Sequence, residues 1–365
     1  MQIAKTLSAY IARQFLLWFC AVFAALQTIA FLGDYVELIR RGGPRADATL
    51  GRLFELAALK QPHLAEQVLP FAVLFGTMLV FWRLTRGNEL VAARAAGVSA
   101  WQFLTPALLV ALLVGIFAVT VFNPVAAAMQ ARYHRLEARV LDQGSDALLL
   151  SNSGLWLRQS DQAGDQVIIH ARALAPSGFN LYGVTVFFFN DLVQLSSRVD
   201  AESARLEKGS WLIDKGVRWL PNSPSQPFKV LRLPTRLTSR KIEEGFAAPD
   251  TMSFWDLPGF IALLEQSGFS ARRHRLHFDV LLARPLLLCA IVLVAAAFSL
   301  RMQRRGGATM MIVAGVAAGF LLYFVSSIVY ALGLSTKLPV VLAAWTPAGV
   351  SMIFGVSMLL HLEDG

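Results

Sequence analysis

Six stretches of this chain are long, apolar and nearly free of charge, and they come in two groups of three. An α-helix rises about 1.5 Å per residue, so ~20 apolar residues cross the ~30 Å of a bilayer's hydrocarbon. Residues 14–33 lie uncharged between Arg13 and Asp34, and residues 67–82 between Glu66 and Arg83. Residues 101–123 end at Asn123-Pro124. After a long gap follow 278–300, 308–332 and 338–360. The pattern predicts three spans, an insert of about 150 residues, and three more spans. Lys5 and Arg13 precede a run of full spanning length with no small-x-small cleavage site, so the first stretch reads as a retained span.

Within the insert, residues from about 140 to 250 alternate between polar and apolar. The segments 155–159, 166–171, 182–190, 198–206, 210–219 and 228–233 read as strands, punctuated by Gly, Pro, Asn and Ser. Residues 173–190 carry no charge, but Pro176, Gly178, Asn180 and Gly183 break any helix there. The expected unit is all-β, a sandwich or jelly roll. Two short amphipathic helices remain: 49–61 just before the second span, and Ser253 to Gln266, with Ser253 as its N-cap and Gly268 as its stop. The expected domains are 1–135 (spans one to three), 136–250 (the β unit) and 251–365 (a connecting helix and spans four to six). The fold class is thus an α-helical multi-pass membrane protein with an inserted jelly-roll-like domain.

Composition agrees. Of 365 residues, 56% are hydrophobic and 16% charged, with a mean hydropathy of +0.54. Soluble domains carry about 25% charged residues, and disordered chains are polar. Cys20 and Cys289 both lie in apolar runs, so a disulfide framework is excluded. The net charge of +9 points to topology-setting residues and anionic lipid rather than nucleic acid. Charge bias does not orient the chain. With both termini inside, eight Lys and Arg flank the spans on the inner side and twelve on the outer. The outer excess, including Arg40, Arg41, Arg132 and Arg135, suggests a cationic rim for an anionic ligand, set against ordinary snorkelling.

No catalytic motif occurs: no GxxxxGK[ST], HExxH or GxSxG. Arg273 and Arg275 disfavour a cation at His274 and His277. No carboxylate pair lies inside the six runs, which argues against a proton-coupled carrier. Asp279 and Arg284, near one end of the fourth span, are expected to face headgroups. The loop 83–100 is helix-prone, with Asn88 as a cap, Glu89 in the first turn and Gly97 as a stop. Such a helix suits docking to a cytoplasmic motor, with Glu89 as the acidic contact and Ala93, Ala96 and Gly97 allowing close approach; composition alone favours a simple connecting turn. Gly315 and Gly319 form a small-xxx-small pair for helix packing. Phe71, Phe75, Phe320, Tyr323 and Phe324 either line a lipid-sized cavity or simply face the bilayer.

Several of these segments resemble one family. RGNELVAARAAGVS (86–99), RRGG (304–307) with Gly315, Gly319 and Tyr323, and LPVVLAAWTP (338–347) are similar to segments of the lipopolysaccharide-export permeases LptF and LptG of Gram-negative bacteria. FLGDYVELIRRGG and LLHLEDG lie closer to the LptG branch. The resemblance implies a non-catalytic inner-membrane permease subunit paired with a paralogue. It implies a cytoplasmic ABC ATPase dimer, a single-span membrane anchor protein and a periplasmic β-jelly-roll bridge as partners, and lipopolysaccharide as cargo. No cofactor is expected in this chain, with ATP and Mg in the ATPase. It also implies cytoplasmic termini, a periplasmic β domain, and a coupling helix at 86–98 using Glu89, Leu90, Arg94 and Gly97. Ligand contacts are expected from Arg40, Arg41, Arg132 and Arg135 and from Phe71, Phe75, Phe320, Tyr323 and Phe324. Where some members carry a basic residue near the outer end of the first span, this chain has Asp34 and Glu37. The alternative is an envelope signalling protein with a periplasmic binding domain. A lipid-modifying enzyme would need an acid–base or metal cluster that the sequence does not show.

Overall fold

A computed structural model describes residues 2–42, 49–140, 148–151, 154–160, 166–174, 180–190, 194–207, 209–220, 224–235, 248–266, 270–302 and 308–363. Among these residues, six helices are long and apolar enough to cross a membrane. The chain divides into two compact units, one of Met1–Leu141, Asp250–Trp255 and Arg272–Gly365, the other of Asp142–Pro249 and Asp256–Ala271.

In the helical unit, α1 spans Gln2–Gly42. α2 runs unbroken from Leu50 to Arg86, joining the separately expected amphipathic helix and second span. Pro62 and Pro70 lie inside it. Proline inside a spanning helix is tolerated where neighbouring groups satisfy the freed carbonyls. The polar residues between the two expected pieces pair with neighbouring helices instead of ending the helix. A short α3 (Glu89–Ala95) leads to α4 (Ala100–Phe117), which opens on a capping box between Ser99 and Gln102.

The third span does not stop at Asn123-Pro124. A π-helical turn, Ala118–Phe122, carries it into α5 (Asn123–Val140). Pro124 has no N–H to donate, and the wider turn, with the Asn123 N–H bonded to the Ala118 carbonyl, absorbs the mismatch. The helical unit therefore extends past the expected boundary at 135. The remaining spans are α7 (Arg272–Met302), α8 (Ala308–Leu334) and α9 (Val340–Glu363).

The helical core is built by α1, α2, α4 and α7, with Ile11, Phe15, Val73, Phe81, Phe103, Leu104, Leu288 and Val292 essentially inaccessible. α4 and α7 cross where a Cβ on Gly115 would lie 2.6 Å from the Pro285 Cα. Gly115→Val is therefore expected to force these backbones apart and to destabilise the helical unit by about 1–3 kcal/mol. Thermal unfolding in detergent measures it, and an unchanged midpoint would contradict the crossing. α1 and α8 leave most of their apolar surface uncovered. α8 rests on α2 through Gly315, against Met78, and Gly319, against Leu74 and Phe71, as the small-residue spacing suggested.

The second unit contains one antiparallel sheet of seven strands in sequence order: β1 Leu148–Ser151, β2 Gly154–Ser160, β3 Gln166–Leu174, β4 Asn180–Asn190, β5 Gln194–Glu207, β6 Ser210–Trp219 and β7 Gln226–Pro234. β1 had no counterpart in the sequence reading. One face is buried by alternate residues, such as Leu155 and Leu157, Val167, Ile169 and Ala171, and Trp211 and Ile213. The Gln159 side chain on β2 donates to the Pro234 carbonyl at the end of β7 (3.2 Å) and accepts from the Thr235 hydroxyl (2.6 Å). Strands five places apart in the order thus meet, so the sheet curls back on itself. The following helix, α6, begins at Leu257 rather than at Ser253, after a turn at residues 254–256. Leu257, Ile261 and Leu264 are its buried stripe. Gly268, its expected stop, lies outside the described residues.

Candidate functional site

Four features of the helical unit carry chemistry. The first is α3, at the end of the bundle that also bears the ends of the chain. Asn88 precedes it in the left-handed conformation (φ 57°) and does not cap it with its side chain, contrary to the sequence reading. The expected stop does operate. Gly97, at φ 83°, lets the Val98 N–H reach the Ala93 carbonyl (3.1 Å) and the Gly97 N–H reach that of Arg94 (3.0 Å), a Schellman closure. Leu90 is the buried anchor, beside Leu7, Ile11, Leu84 and Phe103. Glu89, Val91, Ala92 and Arg94 remain exposed. The Glu89 carboxylate accepts from the Tyr10 hydroxyl at a long 3.4 Å, and the Arg94 guanidinium stands over the Phe103 ring. The helix is thus fixed by one apolar side chain and a glycine closure while its polar groups stay available.

The second feature is a cationic region at the opposite end, where the close of α1, the start of α2 and α5 meet around Leu38, Leu53, Leu56 and Tyr133. Its arginines differ in freedom. Arg40 and Arg41 both bond Glu37, at 2.7 and 2.8 Å. Arg132 makes only a loose 3.5 Å contact with Glu55, and Arg135 bonds its own helix at the Ala131 carbonyl. The last two guanidinium groups are well exposed. Asp34 pairs with Lys60, which also stands over Tyr133. Both carboxylates of the first span's margin are therefore engaged by cations of this chain.

The third is aromatic. Phe71 and Tyr323 approach each other (ring centroids 6.0 Å) on a narrow cleft between α2 and α8. Phe75 packs against the core. Phe320 and Phe324 stack one turn apart on the outward face of α8 and are exposed.

The fourth was missed. Arg284 does not face headgroups: it points inward to Glu66 at 2.9 Å, and their side chains are 15% and 5% exposed. Asn123 donates to the same carboxylate (3.0 Å), and its oxygen accepts from the Phe254 backbone N–H (2.8 Å). The Trp255 indole donates to the Thr120 carbonyl (3.0 Å), and Phe254 stacks on Phe278. Gln130 and His63 both approach Asp250. The π-helical turn sets the Asn123 side chain, and one polar joint thereby binds α2, α5, α7 and the segment 250–255. Its signal in the sequence was the run Lys60, Gln61, His63, Glu66 and Gln67 across the margin of an apolar stretch. Among the described residues, no three His, Cys, Asp or Glu side chains gather as metal ligands.

Comparison with known proteins agrees with these features. The sequence profile of the lipopolysaccharide export system permease LptF/LptG family matches residues 9–361. The chain is 22% identical over 368 residues to the lipopolysaccharide export system permease protein LptG of Escherichia coli K12, covering 99% of both chains. It is also 22% identical over 354 residues to LptG of Haemophilus influenzae, covering 94% of this chain and 95% of the other. The curated relatives thus share the LptG name, the branch to which the segments near Asp34 and at the C-terminal end were likened. A multi-pass inner-membrane protein with six apolar helices, and an antiparallel sheet inserted in the sequence between the third and the fourth, is what these observations describe, and the chain belongs to the LptF/LptG family of lipopolysaccharide export system permeases.

Proposed function

We propose that this chain is the non-catalytic transmembrane subunit of an ATP-driven extractor. It would draw lipopolysaccharide from the inner membrane and pass it to a periplasmic β-jelly-roll bridge. Its partners would be a paralogous permease, a cytoplasmic ABC ATPase dimer that holds ATP and Mg, and a single-span anchor protein. The observation that carries this reading is α3, a short anchored helix offering Glu89, Val91 and Arg94 at the end opposite the cationic region. A motor pushing on α3 acts through Leu90 on the core of α1, α2 and α4.

In this reading α3 faces the cytoplasm and the β unit the periplasm. The exposed faces of α1 and α8, with Phe320 and Phe324, meet the acyl chains, while Arg132 and Arg135 meet the lipid's phosphates. Removing a chain of a dozen methylenes from apolar surroundings costs about 10 kcal/mol at ~0.8 kcal/mol per CH₂. Several chains per molecule make an external energy source necessary.

The test is purification of the chain from native membranes followed by mass spectrometry. Retention of an ATPase, a second permease and phosphorylated glycolipid is expected. Recovery of an envelope partner without glycolipid would favour the signalling alternative. Arg132→Glu with Arg135→Glu is expected to lower lipopolysaccharide photocrosslinking at least fivefold, since both cations are free to meet phosphate. Unchanged crosslinking would remove them from the binding region.

A further inference from the structure

A groove of about 470 Å³ runs between α7, α8 and α9, apart from the outward aromatic face of α8. Its floor is small and apolar, formed by Ala283, Ala343, Ala344, Pro347 and Ala348. Its rim along α8 carries Tyr323, Ser326, Ser327 and Tyr330. A narrower cleft of about 110 Å³ continues it past Phe71 to Gly319, sharing Gln67, Leu287, Tyr323 and Ser326. From Gly319 to Tyr330 the path is about 16 Å long at 1.5 Å per residue.

We propose that this groove holds one acyl chain of an anionic bilayer phospholipid, as a resident lipid distinct from the one exported. Size decides first. A glycolipid with several chains cannot enter whole, whereas a two-chain phospholipid can seat one chain and leave the other in the bilayer.

Hydrogen bonding decides next. Hydroxyls on spanning helices are ordinarily satisfied by the carbonyl four residues back, as at Thr77, Ser299 and Thr346 here. Among the described residues, the hydroxyls of Ser326, Ser327, Tyr323 and Tyr330 have no such partner. They are donors waiting on a rim otherwise suited to hydrocarbon, and the ester carbonyls of a phospholipid are acceptors at the head of its chains.

Charge decides last. Arg273 lies close enough to Tyr330 to interact electrostatically, and Lys337 sits exposed in the turn between α8 and α9. Neither has an ion-pair partner among the described residues. Arg272 holds this mouth in shape, since its guanidinium donates to the Gly333 carbonyl (2.6 Å) and to that of Leu338. Two exposed cations near this end favour a phosphate-bearing headgroup.

The test uses the intact complex in nanodiscs containing phosphatidylglycerol with a diazirine on one acyl chain. After irradiation, labelled peptides are mapped by mass spectrometry. Labelling is expected within 280–287 and 343–348 and should fall at least fivefold in Ala344→Phe, which fills the floor. Ser327→Ala with Tyr330→Phe removes only hydroxyls and should lower it about threefold, so a folding failure of the first variant does not end the test. Arg273→Gln with Lys337→Gln should reduce labelling by phosphatidylglycerol but not by an equivalent phosphatidylcholine probe. Labelling spread evenly over all lipid-facing helices and unaffected by these variants overturns the proposal. So does complete displacement of the probe by equimolar lipopolysaccharide, which would assign the groove to the exported lipid. Neither result bears on coupling through α3.

Discussion

Glu66→Ala is expected to destabilise the helical unit by about 3–5 kcal/mol, more than any surface substitution in this chain, because it strands the Arg284 guanidinium among apolar helices. The carboxylate it removes sits 2.9 Å from Arg284 and also accepts from Asn123. Two further consequences follow from that geometry. Glu66→Gln keeps an acceptor for Asn123 but no charge for Arg284, so its effect falls between alanine and the native residue. Removing both charges, as in Glu66→Met with Arg284→Met, leaves no unpaired ion and is expected to recover most of the loss, since apolar replacements of buried pairs are often neutral. The cycle completed by Glu66→Met alone and Arg284→Met alone gives the coupling energy, expected to exceed 2 kcal/mol. The fraction of folded protein against denaturant in mild detergent reads it. A Glu66→Ala protein as stable as the native one would show that the pair is not buried as described.

Glu89→Ala is expected to reduce lipopolysaccharide export at least tenfold while leaving insertion and folding unchanged. The structural reason is its isolation. Glu89 is exposed, its one hydrogen bond among the described residues is a 3.4 Å contact from Tyr10, and such surface positions usually change stability by less than about 0.5 kcal/mol. A large loss of export would therefore report a lost contact with the motor. Leu90→Ala supplies the contrast. It removes the side chain that anchors α3 and is expected to cost about 2–3 kcal/mol locally. ATP hydrolysis by the complex should persist in Glu89→Ala without transport, and be disturbed together with assembly in Leu90→Ala. Normal export in the Glu89 variant would remove the coupling role from this residue.

The spans were legible because twenty apolar residues have few other fates, and the strands because alternation and turn residues repeat along 155–233. Periodicity also located α3 and its closure at Gly97, since a glycine after a helical run marks a left-handed stop. What failed was punctuation. Asn123-Pro124 reads as a terminator, yet a π-helical turn carries the helix through it. The polar residues between 61 and 67 separate two expected helices, yet α2 runs through them because Lys60 and Gln61 find partners on α1. Charges at the edge of an apolar run look alike whether they face headgroups or each other. Glu66 and Arg284 lie 218 positions apart, and only the folded chain shows that they meet. The four arginines expected near a ligand divide for a similar reason. All four lie at one end of the bundle, but Glu37 occupies Arg40 and Arg41 by local helical spacing, which leaves Arg132 and Arg135 the freer pair.

The most direct measurement reconstitutes the chain, its paralogous permease and the ATPase into liposomes loaded with lipopolysaccharide, with a soluble periplasmic bridge domain outside. Transfer of lipopolysaccharide to that domain on adding ATP, abolished when this chain is omitted and strongly reduced by Glu89→Ala, is the predicted result. ATP-driven hydrolysis with no transfer, or transfer equal with and without this chain, would contradict the account.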